Sequence, residues 1–145
     1  MASYYKFKAG KYSWHKDSES GLYCIDKDFV ISLTDELGKS YQFLIKKGFR
    51  TDGGSIPKCF AWFAPSWKED DEQYNACFVL HDGLYASELV NKEIADDMLR
   101  SSLRDVGMNR FHASTICFCV NHFAGKHYGK EHDKWNCSDY IVRRK

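Results

Sequence analysis

The feature that most constrains this chain is a change of hydrophobic period near its middle. Phe29, Ile31 and Leu33 alternate with Val30 and Ser32, and Tyr41, Phe43 and Ile45 resume the two-residue period after Asp35-Glu36-Leu37-Gly38. Such alternation on both sides of a short loop ending in glycine predicts a β-hairpin. Shorter strands are expected over 4–14 and 22–25, and Gly48 to Thr51 reads as a continuation of the sheet. Past residue 70 the spacing turns helical. Tyr74, Cys77, Phe78, Leu84 and Tyr85 fall on one stripe of a helix over 74–87, and the acidic run ahead of it complements the helix dipole. Asn91 suits the cap of a second helix reaching Val106, with Gly107 as its stop. Residues 110–124 form a third helix, apolar on most faces and so expected to be central. Strands first and helices later predict an α+β fold, an N-terminal antiparallel β-sheet packed against three to four C-terminal helices.

A length of 145 residues corresponds to a single domain over 1–145. It divides into mainly strands over 1–52, a loop plus helices over 53–125, and a polar tail over 126–145 whose end, Arg143-Arg144-Lys145, reads as solvated. With 43% hydrophobic residues the chain can bury a core, which excludes global disorder. Lys+Arg 21 against Asp+Glu 20 gives no strong nucleic-acid signal. No apolar run approaches the ~18 residues of a membrane span. The start, Met1-Ala2-Ser3-Tyr4-Tyr5-Lys6, has no apolar signal region, so its six cysteines are expected to stay reduced thiols.

Helical arithmetic at about 100° per residue then sorts the polar groups. His81 falls near the middle of the first helix's apolar stripe, and Asp82 about a quarter turn away at its edge. On the second helix Asp96 borders the side marked by Leu99 and Leu103, while Asp97 shares a solvated face with Arg100 and Arg104. Asp52 and Ser55 come from the glycine loop Asp52-Gly53-Gly54-Ser55-Ile56-Pro57, where the sheet ends. These groups admit two chemistries. His81, Asp82, Asp96 and Asp52 could hold a divalent metal (zinc, magnesium or manganese) that activates a water. Alternatively, Asp52 and Asp96 orient His81 as a general base, with Ser55 as nucleophile. A third reading is purely structural: Asp52 makes an Asx turn, Ser55 caps a helix, and the His–Asp doublet satisfies buried amides.

These residues also carry a resemblance. Phe49-Arg50-Thr51-Asp52-Gly53-Gly54-Ser55-Ile56-Pro57, Leu80-His81-Asp82-Gly83-Leu84-Tyr85, Ala95-Asp96 and the segment Val120 to Gly125 resemble the phage and prophage family called domain of unknown function 1353. The match spans about Lys47 to Gly129. It implies a product of tailed phages or prophages, resident in the host cytoplasm or on the virion. Phage tail or virion proteins, or a host protein, are then the expected partners. The polar signature it carries over is Asp52, Ser55, His81, Asp82 and Asp96. The resemblance implies no settled activity; from the His/Asp cluster the expectation is a hydrolase-like protein acting on cell-wall or phosphoester bonds, against a non-catalytic assembly or host-factor-binding protein. The His–Asp doublet is also similar to that of metal-dependent phosphohydrolases. Those are all-helical and supply a further upstream His, whereas only His15 precedes His81 here.

Three lesser signals remain. His122, His127, His132 and Cys137 recur every five residues near Cys117 and Cys119, a set that suits zinc in residue type. A five-residue step leaves one helix face, so solvent-facing histidines and core cysteines are expected instead. Phe60, Trp62, Phe63 and Trp67 form an aromatic cluster expected to fold onto the core, with a docking surface as the alternative. Gly53-Gly54 lacks the spacing of a phosphate-binding loop.

Overall fold

The expected hairpin is the spine of the structure. In a computed structural model that describes residues 4–52, 67–121, 128–133 and 135–144, Phe29–Thr34 (β4) pairs with Ser40–Ile45 (β5) in the register Phe29↔Ile45, Ile31↔Phe43 and Leu33↔Tyr41. Phe29, Ile31, Leu33, Phe43 and Ile45 are all buried, so the period-two residues are the core face. The turn is held by one side chain: Asp35 Oδ1 accepts from Leu37 N and Lys39 N, each at 2.9 Å.

Lys6–Ala9 (β1) adds to β4 on one side, and the far edge of β5 receives Ile141–Arg144 (β7), giving an antiparallel sheet in the order β1-β4-β5-β7. Edge strand β1 is closed by Gln73, whose side-chain amide accepts from Ala9 N at 2.9 Å and donates to Ala9 O at 2.8 Å. Trp14–Lys16 (β2), Tyr23–Ile25 (β3) and Arg50–Thr51 (β6) form a second antiparallel sheet, ordered β2-β3-β6. Of the stretch Gly48 to Thr51, only Arg50–Thr51 extends into strand, and it does so in this smaller sheet. Trp67 is buried against it, stacked on Tyr23 at 4.2 Å, which makes this member of the aromatic cluster a core residue. Phe60, Trp62 and Phe63 lie outside the described residues.

Three helices follow: Glu72–Ser87 (α1), Lys92–Asp105 (α2) and Arg110–Cys119 (α3). Each starts on a side-chain cap, with Asp71, Asn91 and Asn109 accepting from Tyr74 N, Ile94 N and His112 N. The expected central role of the third helix is not what the structure shows. α1 is central: all but three of its residues are buried, between α2, the four-stranded sheet and the 3-10 turn Cys137–Tyr140. α3 is peripheral, burying Ala113, Ile116 and Cys119 while Phe111 stays 74% exposed. A helix with apolar residues on most faces meets the demand of a central position in composition alone. Which of two such helices is central depends on how many neighbours pack on it.

The chain end also departs from expectation. Ile141–Arg144 completes the larger sheet as a strand, with Ile141 buried opposite Ile45, while Arg143 and Arg144 keep the exposure expected of them and Arg143 lies above the Tyr41 ring at 5.1 Å. An edge strand needs only one anchoring apolar residue, too short a signal for a periodicity argument. No helix among the described residues is long and apolar enough to cross a membrane.

Candidate functional site

α1 places its polar residues on two different sides. His81 faces α2. Its Nε2 donates to Asp96 Oδ1 at 3.0 Å, and Tyr85, one turn further along α1, donates its hydroxyl to the same oxygen at 2.6 Å. The other carboxylate oxygen accepts from Lys92 Nζ at 2.9 Å, and Lys92 also donates to Asn121 Oδ1 on the turn that continues α3. The His81 and Tyr85 rings pack at 4.1 Å, and the Tyr85 ring edge meets Tyr128, whose hydroxyl donates to Val90 O at 2.6 Å. Cys117 Sγ approaches the Asp96 carbonyl at 3.8 Å. The network therefore ties α1, α2 and the chain beyond α2 through one carboxylate.

That carboxylate is nearly sealed, with Asp96 3% exposed and His81 8%. Burial alone pushes a carboxyl up. Here the hydrogen bonds from His81, Tyr85 and Lys92 outweigh it and hold Asp96 below the ordinary carboxylate value. The same burial, reinforced by the bond to Asp96, drives the Tyr85 phenol upward, so it remains a donor.

Asp82, the next residue, faces the smaller sheet and accepts from Thr51 Oγ1 at the end of β6. Thr51 is fully buried, while Asp52 and Asp82 are half-buried. Burial pushes Asp82 up, the charge of Asp52 adds to this, and the Thr51 bond opposes it, with a net rise to about 8. These surroundings favour the protonated form of Asp82 well above the ordinary carboxylate range. Cys137 closes this side: it is buried, donates from Sγ to Arg50 O at 3.0 Å, and is pushed up by burial and by the neighbouring Asp82 and Asp133 carboxylates. Gly83 completes the motif for a packing reason. A Cβ there would meet Ile141 Cδ1 at 2.8 Å and Phe49 Cε2 at 3.2 Å, so the bare helix backbone is what lets β7 and Phe49 close onto α1.

The candidate residues therefore fall into two groups, with His81 and Asp96 on one side of α1 and Asp52 and Asp82 on another. Ser55 lies outside the described residues, as do His122 and His127. Among the described residues no three His, Cys, Asp or Glu side chains gather as a set able to hold a metal ion. For His81, Asp82, Asp96 and Asp52 the donor chemistry adds a reason: three of the roughly four acceptor directions of Asp96 are taken, one by an ammonium that opposes a bound cation. The described thiols whose state is perturbed, Cys24, Cys77, Cys117 and Cys137, are all pushed up by burial, which leaves them poor nucleophiles. Sequence reasoning did not single out Lys92, although it sits four residues before Asp96 on one helix face, the spacing of an intrahelical ion pair.

Fold and site together define a small α+β protein whose polar motifs meet around one buried helix. The family described as "Protein of unknown function (DUF1353)" matches residues 25–120 of the 145, and the chain belongs to that family. No curated protein and no solved structure matches it.

Proposed function

We propose that this is a phage-encoded hydrolase that works by acid–base chemistry at the Asp52–Asp82 pair, with the His81–Asp96 network bracing α1, the helix that carries Asp82, against α2. The observation that carries this reading is the placement of Asp82. It sits half-buried on a rigid helix, beside a second carboxylate and bonded to Thr51, in surroundings that favour its protonated form. A carboxylic acid beside a companion carboxylate is the arrangement used to split a bond with water. Asp82 would give its proton to the departing oxygen, while Asp52 takes one from the attacking water, whose oxygen adds to the other fragment. The glycosidic bonds of a cell wall and phosphoester bonds both have such a leaving oxygen. A phage or prophage origin is what the motif resemblance implies.

A second reading is supported by the closure of the His81–Asp96 network. Every partner of Asp96 is internal, as expected of a brace in a non-catalytic virion, tail-assembly or host-factor-binding protein. The two readings separate by experiment. Turnover of purified peptidoglycan or of a chromogenic phosphodiester should fall by ~10²-fold or more in Asp82→Asn and Asp52→Asn, the usual contribution of an acid–base group. Wild-type protein with no turnover on either substrate, including with added zinc, magnesium or manganese, would leave the brace reading standing. Metal analysis of the purified protein decides whether the divalent ion enters at all.

A further inference from the structure

Outside the motif network, a cleft of about 630 Å³ lies between the smaller sheet and the 3-10 turn Cys137–Tyr140, within the ~300–1,000 Å³ typical of small-molecule sites. Its walls are fixed by main-chain and thiol bonds: Gly48 N donates to Ile25 O at 2.9 Å, Lys46 N to Tyr140 O at 2.8 Å, and Cys137 Sγ to Arg50 O at 3.0 Å. Gly48, at φ +101°, lets the Tyr140 ring lie directly on the backbone, for a Cβ there would stand 2.8 Å from Cε1 of that ring. The cleft is thus formed before any ligand arrives.

Its lining selects by elimination. Carboxylates of Asp17, Asp26 and Asp139 oppose an anion such as a nucleotide or phosphate, while Lys47 and Arg50 oppose a cation. A lining this polar gives no refuge to a lipid or an apolar peptide. What remains is a neutral ligand that offers many hydrogen-bonding groups and yet has a flat apolar face for the Trp135 and Tyr140 rings. That description is a saccharide, whose C–H face packs on aromatic rings while its hydroxyls pair with carboxylates, amides and guanidinium groups. One polar group is already oriented: Asp26 Oδ1 holds His15 Nδ1 at 2.6 Å, leaving Nε2 of this exposed ring available.

We infer that this cleft is a saccharide-binding site, in which Trp135 and Tyr140 supply the stacking surface and Asp26, Asp139 and Arg50 bind the hydroxyls. Asp26 and Arg50 lie within 25–120, whereas Trp135, Asp139 and Tyr140 lie beyond it, so the site joins the family-matched part of the chain to the segment that follows it. It is independent of the acid–base proposal, because binding here requires no turnover. Arg50 nevertheless precedes Thr51 on β6, which places the cleft and the Asp82 side chain on either side of a single strand.

The test is titration of the full chain with chitotriose, cellotriose and maltotriose, followed by amide NMR shifts. The trisaccharides are taken to about 10 mM, where even a ~1 mM site is nearly filled. At least one sugar should shift the amides of 24–26, 47–50 and 135–140. Trp135→Ala should weaken that binding by tenfold or more, and so should Asp139→Ala, an exposed position whose loss leaves the fold intact. Asp82→Asn should bind as wild type does. Absence of shifts with all three sugars overturns the inference. So does binding that survives Trp135→Ala and Asp139→Ala, or shifts that map elsewhere.

Discussion

His81 and Asp82 are chain neighbours that serve different sides of α1: His81 donates to Asp96 on α2, and Asp82 accepts from Thr51 on β6. One dipeptide therefore clamps the central helix between the second helix and the smaller sheet. Removing either residue has a different signature, because one belongs to an ionised network and the other to a neutral acid.

His81→Ala should lower unfolding free energy by about 1–3 kcal/mol, the range for losing a buried hydrogen bond to a charged group. Denaturant titration at pH 7 measures this, and a change below about 0.5 kcal/mol would remove the network from any account of stability. The acid side has a defined sign. Asp96 is held below its ordinary value in the folded state, so its contribution is present above the unfolded value near ~3.9 and is lost as pH falls below that. The stability gap between wild type and Asp96→Asn should therefore shrink between pH 7 and pH 3.

Asp82 has the opposite sign. Its folded value is raised to about 8, so its contribution to stability is fully present below the unfolded value of ~3.9 and is lost as pH rises through about 8. Asp82→Asn cannot ionise and escapes that loss. Relative to wild type, the variant should gain stability progressively from pH 4 to pH 8 and stay level beyond. Urea midpoints across that interval give the comparison, and a gap that does not change with pH contradicts a protonated Asp82. Greater stability combined with lost turnover is the trade expected where a site holds a group in an unfavourable state.

Much of this was legible in the residues. The hairpin, the capped helices and the inequality of Asp96 and Asp97 follow from periods of two and 3.6 residues, because those periods are local. Asp96 is indeed buried in the network, whereas Asp97 lies 3.9 Å from Arg100 as its face suggested, though that pair is half-buried rather than solvated. What was not legible depends on assembly. No spacing rule tells that Ile141 will reach Ile45, or that α1 rather than α3 will be wrapped on all sides. Nor does any spacing rule tell which partners the adjacent His81 and Asp82 will take: His81 meets Asp96 on α2, and Asp82 meets Thr51 on β6.

Gly83 tests the link between motif and chain end. Gly83→Ala gains up to ~1 kcal/mol of helix propensity, but its Cβ would enter the space of Ile141 Cδ1 and Phe49 Cε2, and such overpacking typically costs ~1–3 kcal/mol. Net destabilisation is expected. Ile141→Val alone should cost about 0.5–1.5 kcal/mol by trimming a buried methyl group. In the double variant the valine lacks Cδ1, so the alanine methyl finds room and the combined loss should be smaller than the sum of the two. Residues in contact commonly show such coupling, at ~0.5–3 kcal/mol. A double-mutant cycle by denaturant titration reads it directly. Strict additivity would mean that β7 does not rest on the helix at Gly83, and that this glycine owes its place in the His81-Asp82-Gly83 segment to something other than the closing strand.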